Sequence, residues 1–216
     1  MGRPLRILQD EFPYHVTTRT NNKEFRFQPK RWVFLMFARI INEAIKKYSI
    51  QVTHFVLMSN HYHIIFKTPN KNIHRAMQYI NSRIAREYNK RYGRTGHLWG
   101  DRYKSVIIEN SKALLSFIRY IYFNPVRAGI VSHPKDYEPS TFEFYYNNKK
   151  VDIYLHECEI FVSLGDLEDR SRRFRELFQE YDENEFLKVK KGLNSQFYGS
   201  DSFVKLMKEK YKIRRN

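Results

Sequence analysis

Two hydrophobic rhythms alternate along the first 123 residues, and their order admits few folds. Tyr14-His15-Val16-Thr17-Thr18 alternates and is β-branched, which predicts a strand. Residues 30–48 instead carry Val33, Phe34, Phe37, Ile40, Ile41, Ala44 and Ile45, the spacing of one helix face, with Pro29 suited to the start. Ile50 to Met58 and His61 to Thr68 read as two strands joined by a turn at Ser59-Asn60. Residues 72–92 return to helical spacing through Ile73, Met77, Ile80, Ile84 and Tyr88. Arg102 to Glu109 is a fourth strand, with Asn110 and Ser111 as N-cap candidates for a helix from about Lys112 to Phe123. That helix is expected to stop near Pro125, because the residue before a proline is pushed out of the helical region. Strand, helix, strand, strand, helix, strand and a further helix make a βαββαβ pattern. The expected class is α+β, a ferredoxin-like antiparallel sheet.

Beyond about residue 145 the signals change. Residues 166–182 and 201–214 read as helices rich in both charge signs. The division expected is one main domain over 1–145 and a mostly helical C-terminal extension, 146–216, packed on it. Charge divides the chain in nearly the same place. Residues 1–150 hold 26 Lys and Arg against 10 Asp and Glu, whereas 151–216 hold 13 of each. The whole excess of +16 therefore lies in the first two-thirds, a field that attracts polyanions. One cysteine, Cys158, excludes a disulfide framework and a Cys-based zinc finger. No run approaches 18 apolar residues, and MGRPLRILQDEF has no signal-peptide core. The expectation is a cytoplasmic, nucleoid-associated protein without a membrane partner.

Chemistry concentrates in two places. In His61-Tyr62-His63 the two imidazoles share one face of a strand. Neutral imidazoles at that spacing can hold a divalent metal, and they can equally be half-buried rings satisfied by backbone groups. In Phe117-Ile118-Arg119-Tyr120-Ile121-Tyr122-Phe123-Asn124-Pro125, Tyr120 and Asn124 are four residues apart on one helix face. Asn124 has an amide oxygen to give the same metal, and Tyr120 a phenol suited to covalent phosphodiester cleavage. Core packing explains such a helix as well. Tyr122 is the rival nucleophile, but two residues from Tyr120 it faces roughly the opposite side. His54 and Cys158 are assigned structural roles, and His15, near the sheet centre, is given no catalytic one. For DNA contact the candidates are Arg3 and Arg6 in the N-terminal arm, Arg83, Arg86, Lys90 and Arg91 along one helix, and Arg94, Arg102 and Lys104 after it. In the loop Gly93 to Trp99, Trp99 either grips nucleic acid or is buried.

Several stretches in order resemble one family. They are Tyr14-His15-Val16-Thr17-Thr18-Arg19, Val56 to Ile65 (VLMSNHYHII), Gly96 to Ser105 (GHLWGDRYKS) and Arg119 to Gly129 (RYIYFNPVRAG), followed by Pro134 and Tyr137. The sequence resembles the REP-associated tyrosine transposases of the HUH single-tyrosine superfamily over about residues 12–142. That resemblance implies that the helix after the fourth strand bears the nucleophile, Tyr120. It implies Mg²⁺ or Mn²⁺ held by His61, His63 and Asn124, with phosphate oxygens helping to complete the shell. It implies nicking and strand transfer on single-stranded, hairpin-forming DNA through a 5′-phosphotyrosine, with no nucleotide cofactor because the phosphotyrosine conserves the bond. Relatives act as monomers or homodimers. The alternative is a non-catalytic hairpin DNA- or RNA-binding protein derived from a transposase.

Overall fold

The computed structural model describes residues 6–27, 31–109 and 112–212. Arg3, Pro29, Asn110 and Ser111 lie outside the described residues. Strand β1 is Tyr14–Arg19, helix α1 Arg31–Tyr48, β2 Gln51–Leu57, β3 His61–Lys67, α2 Ile73–Arg91, β4 Lys104–Ile108 and α3 Lys112–Arg127. Then come α4 Phe142–Asn147, α5 Glu159–Ser163, α6 Leu167–Glu176, α7 Glu183–Gly192, β5 Phe197–Tyr198 and α8 Asp201–Lys210.

The sheet order is β2-β3-β1-β4-β5. The first four strands pair antiparallel, which is the ferredoxin-like arrangement the βαββαβ order called for. Both faces of the sheet are covered. On one face, α1 and α2 set Phe37, Ile41, Ile80 and Ile84 against Val16, Phe55, Tyr62 and Ile64. On the other, Phe117, Ile118 and Ile121 of α3 pack on Val56, Ile65 and Val106. Each of these fully buried side chains contributes roughly 1.5–3 kcal/mol. Alternation along β3 sends Tyr62 into the first layer, so His61 and His63 turn toward α3.

Three expectations are corrected. First, α3 does not stop at Pro125 but runs through it to Arg127. The Asn124 Nδ2 donates to the Tyr120 carbonyl at 2.7 Å beside the proline. The end is fixed four residues later. Ile130 N bonds to Pro125 O at 3.0 Å and Gly129 N to Val126 O at 2.9 Å, with Gly129 at φ +67, a Schellman cap that glycine makes without strain. Second, the single helix expected over 166–182 is broken. It ends at Glu176, and a new helix, α7, starts at Glu183 behind the N-cap Asp182, whose carboxylate accepts from Asn184 N and Glu185 N. Third, the sheet is not wholly antiparallel. β5 adds a parallel edge to β4, pairing Ile107 with Phe197 and Ile108 with Tyr198.

The tail thus touches both the sheet and α3. Gly192, the last residue of α7, lies so close to the Tyr198 ring that no Cβ fits between them. Arg119 of α3 donates to Glu185 at 2.7 Å and to the Glu180 carbonyl at 2.8 Å, and Ser116 donates to Glu185 at 2.8 Å. Among the described residues no helix is long and apolar enough to cross a membrane.

Candidate active site

Antiparallel register puts Arg19 opposite His61 and Thr17 opposite His63, at the end of the sheet over which α3 passes. A cleft of about 620 Å³ opens there. His61, His63, Tyr120 and Asn124 all line it, so the strand pair and the helix pair meet in one place. The Tyr120 ring stands edge-on to His63, centroids 5.7 Å apart at 89°. Phe186 of α7 packs against its other side at 4.4 Å. Tyr120 is 6% exposed. Burial pushes its phenol above the ordinary value, while the Asn124 side chain, Arg19 and Arg127 pull it back.

Each imidazole is held by one ring nitrogen. His61 Nδ1 meets Asn60 Oδ1 at 2.6 Å, and His63 Nδ1 meets His15 Nε2 at 2.8 Å. A carboxamide oxygen only accepts, so His61 carries its proton on Nδ1 and has a bare Nε2. His63 Nε2 is buried without a partner. Burial, and then the charge of Arg19, lowers His61 to about 3; burial, and then the neighbouring His61 and His15 rings and Arg19, holds His63 well below 6.5, so both rings are neutral at pH 7. These are the properties of imidazoles that can bind a cation. Among the described residues no three His, Cys, Asp or Glu side chains converge on one point. A third protein donor has to be of another type, and the Oδ1 of Asn124 is left over once its Nδ2 has bonded to Tyr120 O.

Tyr122 points elsewhere. It is 1% exposed, and its hydroxyl bonds to His54 Nδ1 at 2.9 Å and Thr141 Oγ1 at 2.9 Å. Trp99 is packed rather than free, with Nε1 donating to the Asn81 carbonyl at 2.9 Å and its ring against Phe27 and Tyr62.

The basic candidates separate into groups. Arg102 and Lys104 line the cleft, Lys104 donating to Asn194 at 3.1 Å. Arg6 is folded onto Tyr103, its guanidinium 4.2 Å from the ring centroid. Arg83, Arg86, Lys90 and Arg91 lie on α2, across the sheet from α3. Arg83 is paired with Glu87 at 3.1 Å and Glu43 at 3.5 Å, and Arg91 sits over Trp32 at 4.4 Å. Arg86 and Lys90 are exposed, and Arg94 is half-buried in the loop that carries the chain from α2 round the sheet end to Gly100 and the cleft.

Arg19, Lys23, Arg127 and Lys190 also line the cleft, and none of them was a sequence candidate. Two had a signal. Arg19 follows Thr17 on one strand face, and Arg127 lies three residues beyond Asn124 on one helix face. Lys190 and Phe186 come from α7, where nothing in the local sequence points to the cleft. Among the described residues six Lys or Arg line it against one carboxylate, that of Asp101.

The fold and cleft define a class: a ferredoxin-like sheet in which a helix lays a tyrosine across a strand with two alternate histidines. Residues 9–124 match the model of the family described as transposase IS200-like. That is more than half of the chain, and the chain belongs to this family of DNA-processing transposases. It is 24% identical over 159 residues to a Haemophilus influenzae protein described as a REP-associated tyrosine transposase, covering 68% of this chain and 81% of that one. A solved REP-associated tyrosine transposase bound to a REP hairpin superposes with a TM-score of 0.59 at 19% identity, over 73% of this chain and 93% of that chain. This likeness establishes the shared fold. A Deinococcus radiodurans transposase structure matches with a TM-score of 0.39 at 14% identity, over 51% of this chain and 88% of that chain.

Proposed function

We propose that this protein nicks and rejoins hairpin-forming single-stranded DNA, with Tyr120 as nucleophile and a divalent metal ion at His61, His63 and Asn124. The observation that carries this reading is the convergence of the Tyr120 ring and the partnerless His63 Nε2 on one cationic cleft. The relatives described as REP-associated tyrosine transposases, one of them bound to a REP hairpin, supply the DNA class.

The residues would divide the work as follows. Arg19, Lys23, Arg102, Lys104, Arg127 and Lys190 hold the phosphates of the incoming strand. Arg19 and Arg127 also favour the Tyr120 phenolate, against the burial that opposes it. The Tyr120 oxygen attacks the scissile phosphorus, the bond to the 3′ oxygen breaks, and that oxygen leaves as a 3′-hydroxyl after taking a proton. The product is a 5′-phosphotyrosine, which a second 3′-hydroxyl can attack to rejoin strands and restore the phenol. Mg²⁺ or Mn²⁺, when bound, supplies charge neutralisation at the phosphate oxygens.

The test is a denaturing gel of the full chain with labelled hairpin DNAs and Mn²⁺. A denaturant-resistant protein–DNA band is expected, absent in Tyr120→Phe and retained in Tyr122→Phe. His61→Ala and His63→Ala should lose cleavage while still binding DNA. Cleavage that survives Tyr120→Phe overturns the nucleophile, and tight binding without any adduct leaves a hairpin-binding protein.

A further inference from the structure

We infer that His15 is a positioning residue: it accepts the Nδ1 proton of His63 and thereby fixes the bare Nε2 of His63 toward the cleft. This rests on the metal-site reading given above and extends it to a residue outside the expected ligand set.

The two rings form a unit within the sheet. His15 is 1% exposed and His63 2%. Their centroids are 5.0 Å apart at 26°, and His15 Nε2 lies 2.8 Å from His63 Nδ1. Pairing makes the contact inevitable. Thr17 is opposite His63, so His15 is its diagonal neighbour on the same face. Phe117 of α3 closes the other side of His15 at 5.1 Å, so the ring is held between helix and strand. With its Nε2 committed to His63, His15 is not itself a ligand.

One proton lies between these two nitrogens, and it has two possible owners. If His15 donates, His63 must carry its other proton on Nε2. That atom is buried with no partner, so a donor would be stranded in the protein unpaired. If His63 donates, the same position holds only a lone pair, which a cation can use. The second arrangement avoids the stranded donor and is the one a metal requires. Asn60 does the equivalent work for His61 through its carboxamide oxygen. The two imidazoles are therefore oriented by two different residues, one in the turn before β3 and one on the neighbouring strand.

The test reads the proton before any metal is added. Long-range ¹H–¹⁵N correlation spectra of the metal-free full chain, assigned with His63→Gln and His15→Gln, report the tautomer of each ring. His63 is expected as the Nδ1-protonated form. A His63 protonated on Nε2 overturns the inference whatever its metal affinity. Calorimetric titration with Mn²⁺ gives the second readout. His15→Phe keeps a ring against Phe117 but has no acceptor, and its affinity should fall about 10–100-fold. His15→Gln places an oxygen near the Nε2 position and should stay within a few-fold of the native chain. Equal losses in both variants, or no loss in His15→Phe, overturn the inference. A native chain that binds no Mn²⁺ refutes the metal reading itself, an outcome the tautomer spectrum keeps separate. Should His15→Phe fail to fold, the native spectrum and His15→Gln still decide.

Discussion

Removing the hydroxyl of Tyr122 tests the assignment of the two tyrosines through stability rather than catalysis. Tyr122 is enclosed, and its oxygen joins His54 Nδ1 to Thr141 Oγ1. In Tyr122→Phe the threonine retains its contact with Phe55 N at 2.9 Å. His54 retains nothing, because its Nε2 already lacks a partner. One buried ring N–H is then unpaired, which costs about 1–3 kcal/mol. For a domain of this size each kcal/mol lowers Tm by about 2–4 °C, so a fall of roughly 2–12 °C is expected in a calorimetric scan. Tyr120→Phe, by contrast, gives up at most one ordinary hydrogen bond, about 1 kcal/mol. The adduct gel should show the reverse order, with the less stable variant active and the more stable one inactive. Adding His54→Leu to Tyr122→Phe removes the stranded donor and should recover part of the loss, a coupling that a double-mutant cycle measures. An unchanged Tm in Tyr122→Phe, or a folded Tyr122→Phe without adduct, refutes the reasoning.

Three other outcomes are expected. Burial holds His15, His54 and His61 at about 3 and His63 well below its ordinary value, so the unfolded chain takes up protons below 6.5 that the folded chain refuses. Stability should therefore be flat above pH 6.5 and fall between pH 6.5 and 3, by up to about 1.4 kcal/mol per pH unit for each ring; a urea midpoint that stays level down to pH 4 would show these rings to be solvated. Because burial raises the Tyr120 phenol, single-turnover adduct formation should rise from pH 7 to 9 without levelling off, and a plateau below pH 8 would assign the rate to another group. Arg102→Ala, in the cleft, should weaken binding to all DNA sequences alike and flatten the salt slope by about one, whereas Arg83→Ala, across the sheet and already ion-paired to Glu43 and Glu87, should change the slope less; equal slopes would refute the contrast.

The central site was legible because its geometry is local. Alternation on a strand put His61 and His63 on one face, and a four-residue step on a helix put Tyr120 beside Asn124. The fold class followed from the same two periods. What stayed hidden depends on partners distant in sequence. Periodicity shows which stripe of α2 is buried but not which face of the sheet it covers, so Arg83 and Arg91 gave no sign of lying across the sheet from Tyr120. The pairing of His15 with His63 is set by strand register, which no single strand displays. Pro125 reads as a stop in any local scheme, yet α3 crosses it to a Schellman cap at Gly129. Phe186 and Lys190 sit on a helix that begins only because Asp182 caps it.

The placement of α7 and β5 bears on where a shortened gene product would fail. A nonsense codon near position 180 would spare every residue of the matched region, 9–124, together with both histidines, the tyrosine and the asparagine. It would still strip Phe186 from the Tyr120 ring, take Lys190 from the cleft, leave Arg119 without the Glu185 carboxylate and bare the outer edge of β4. Such a product would retain all of its chemistry on paper and lose the wall against which that chemistry is held. Late truncations in relatives built this way therefore merit counting among disabling lesions rather than trimmed tails.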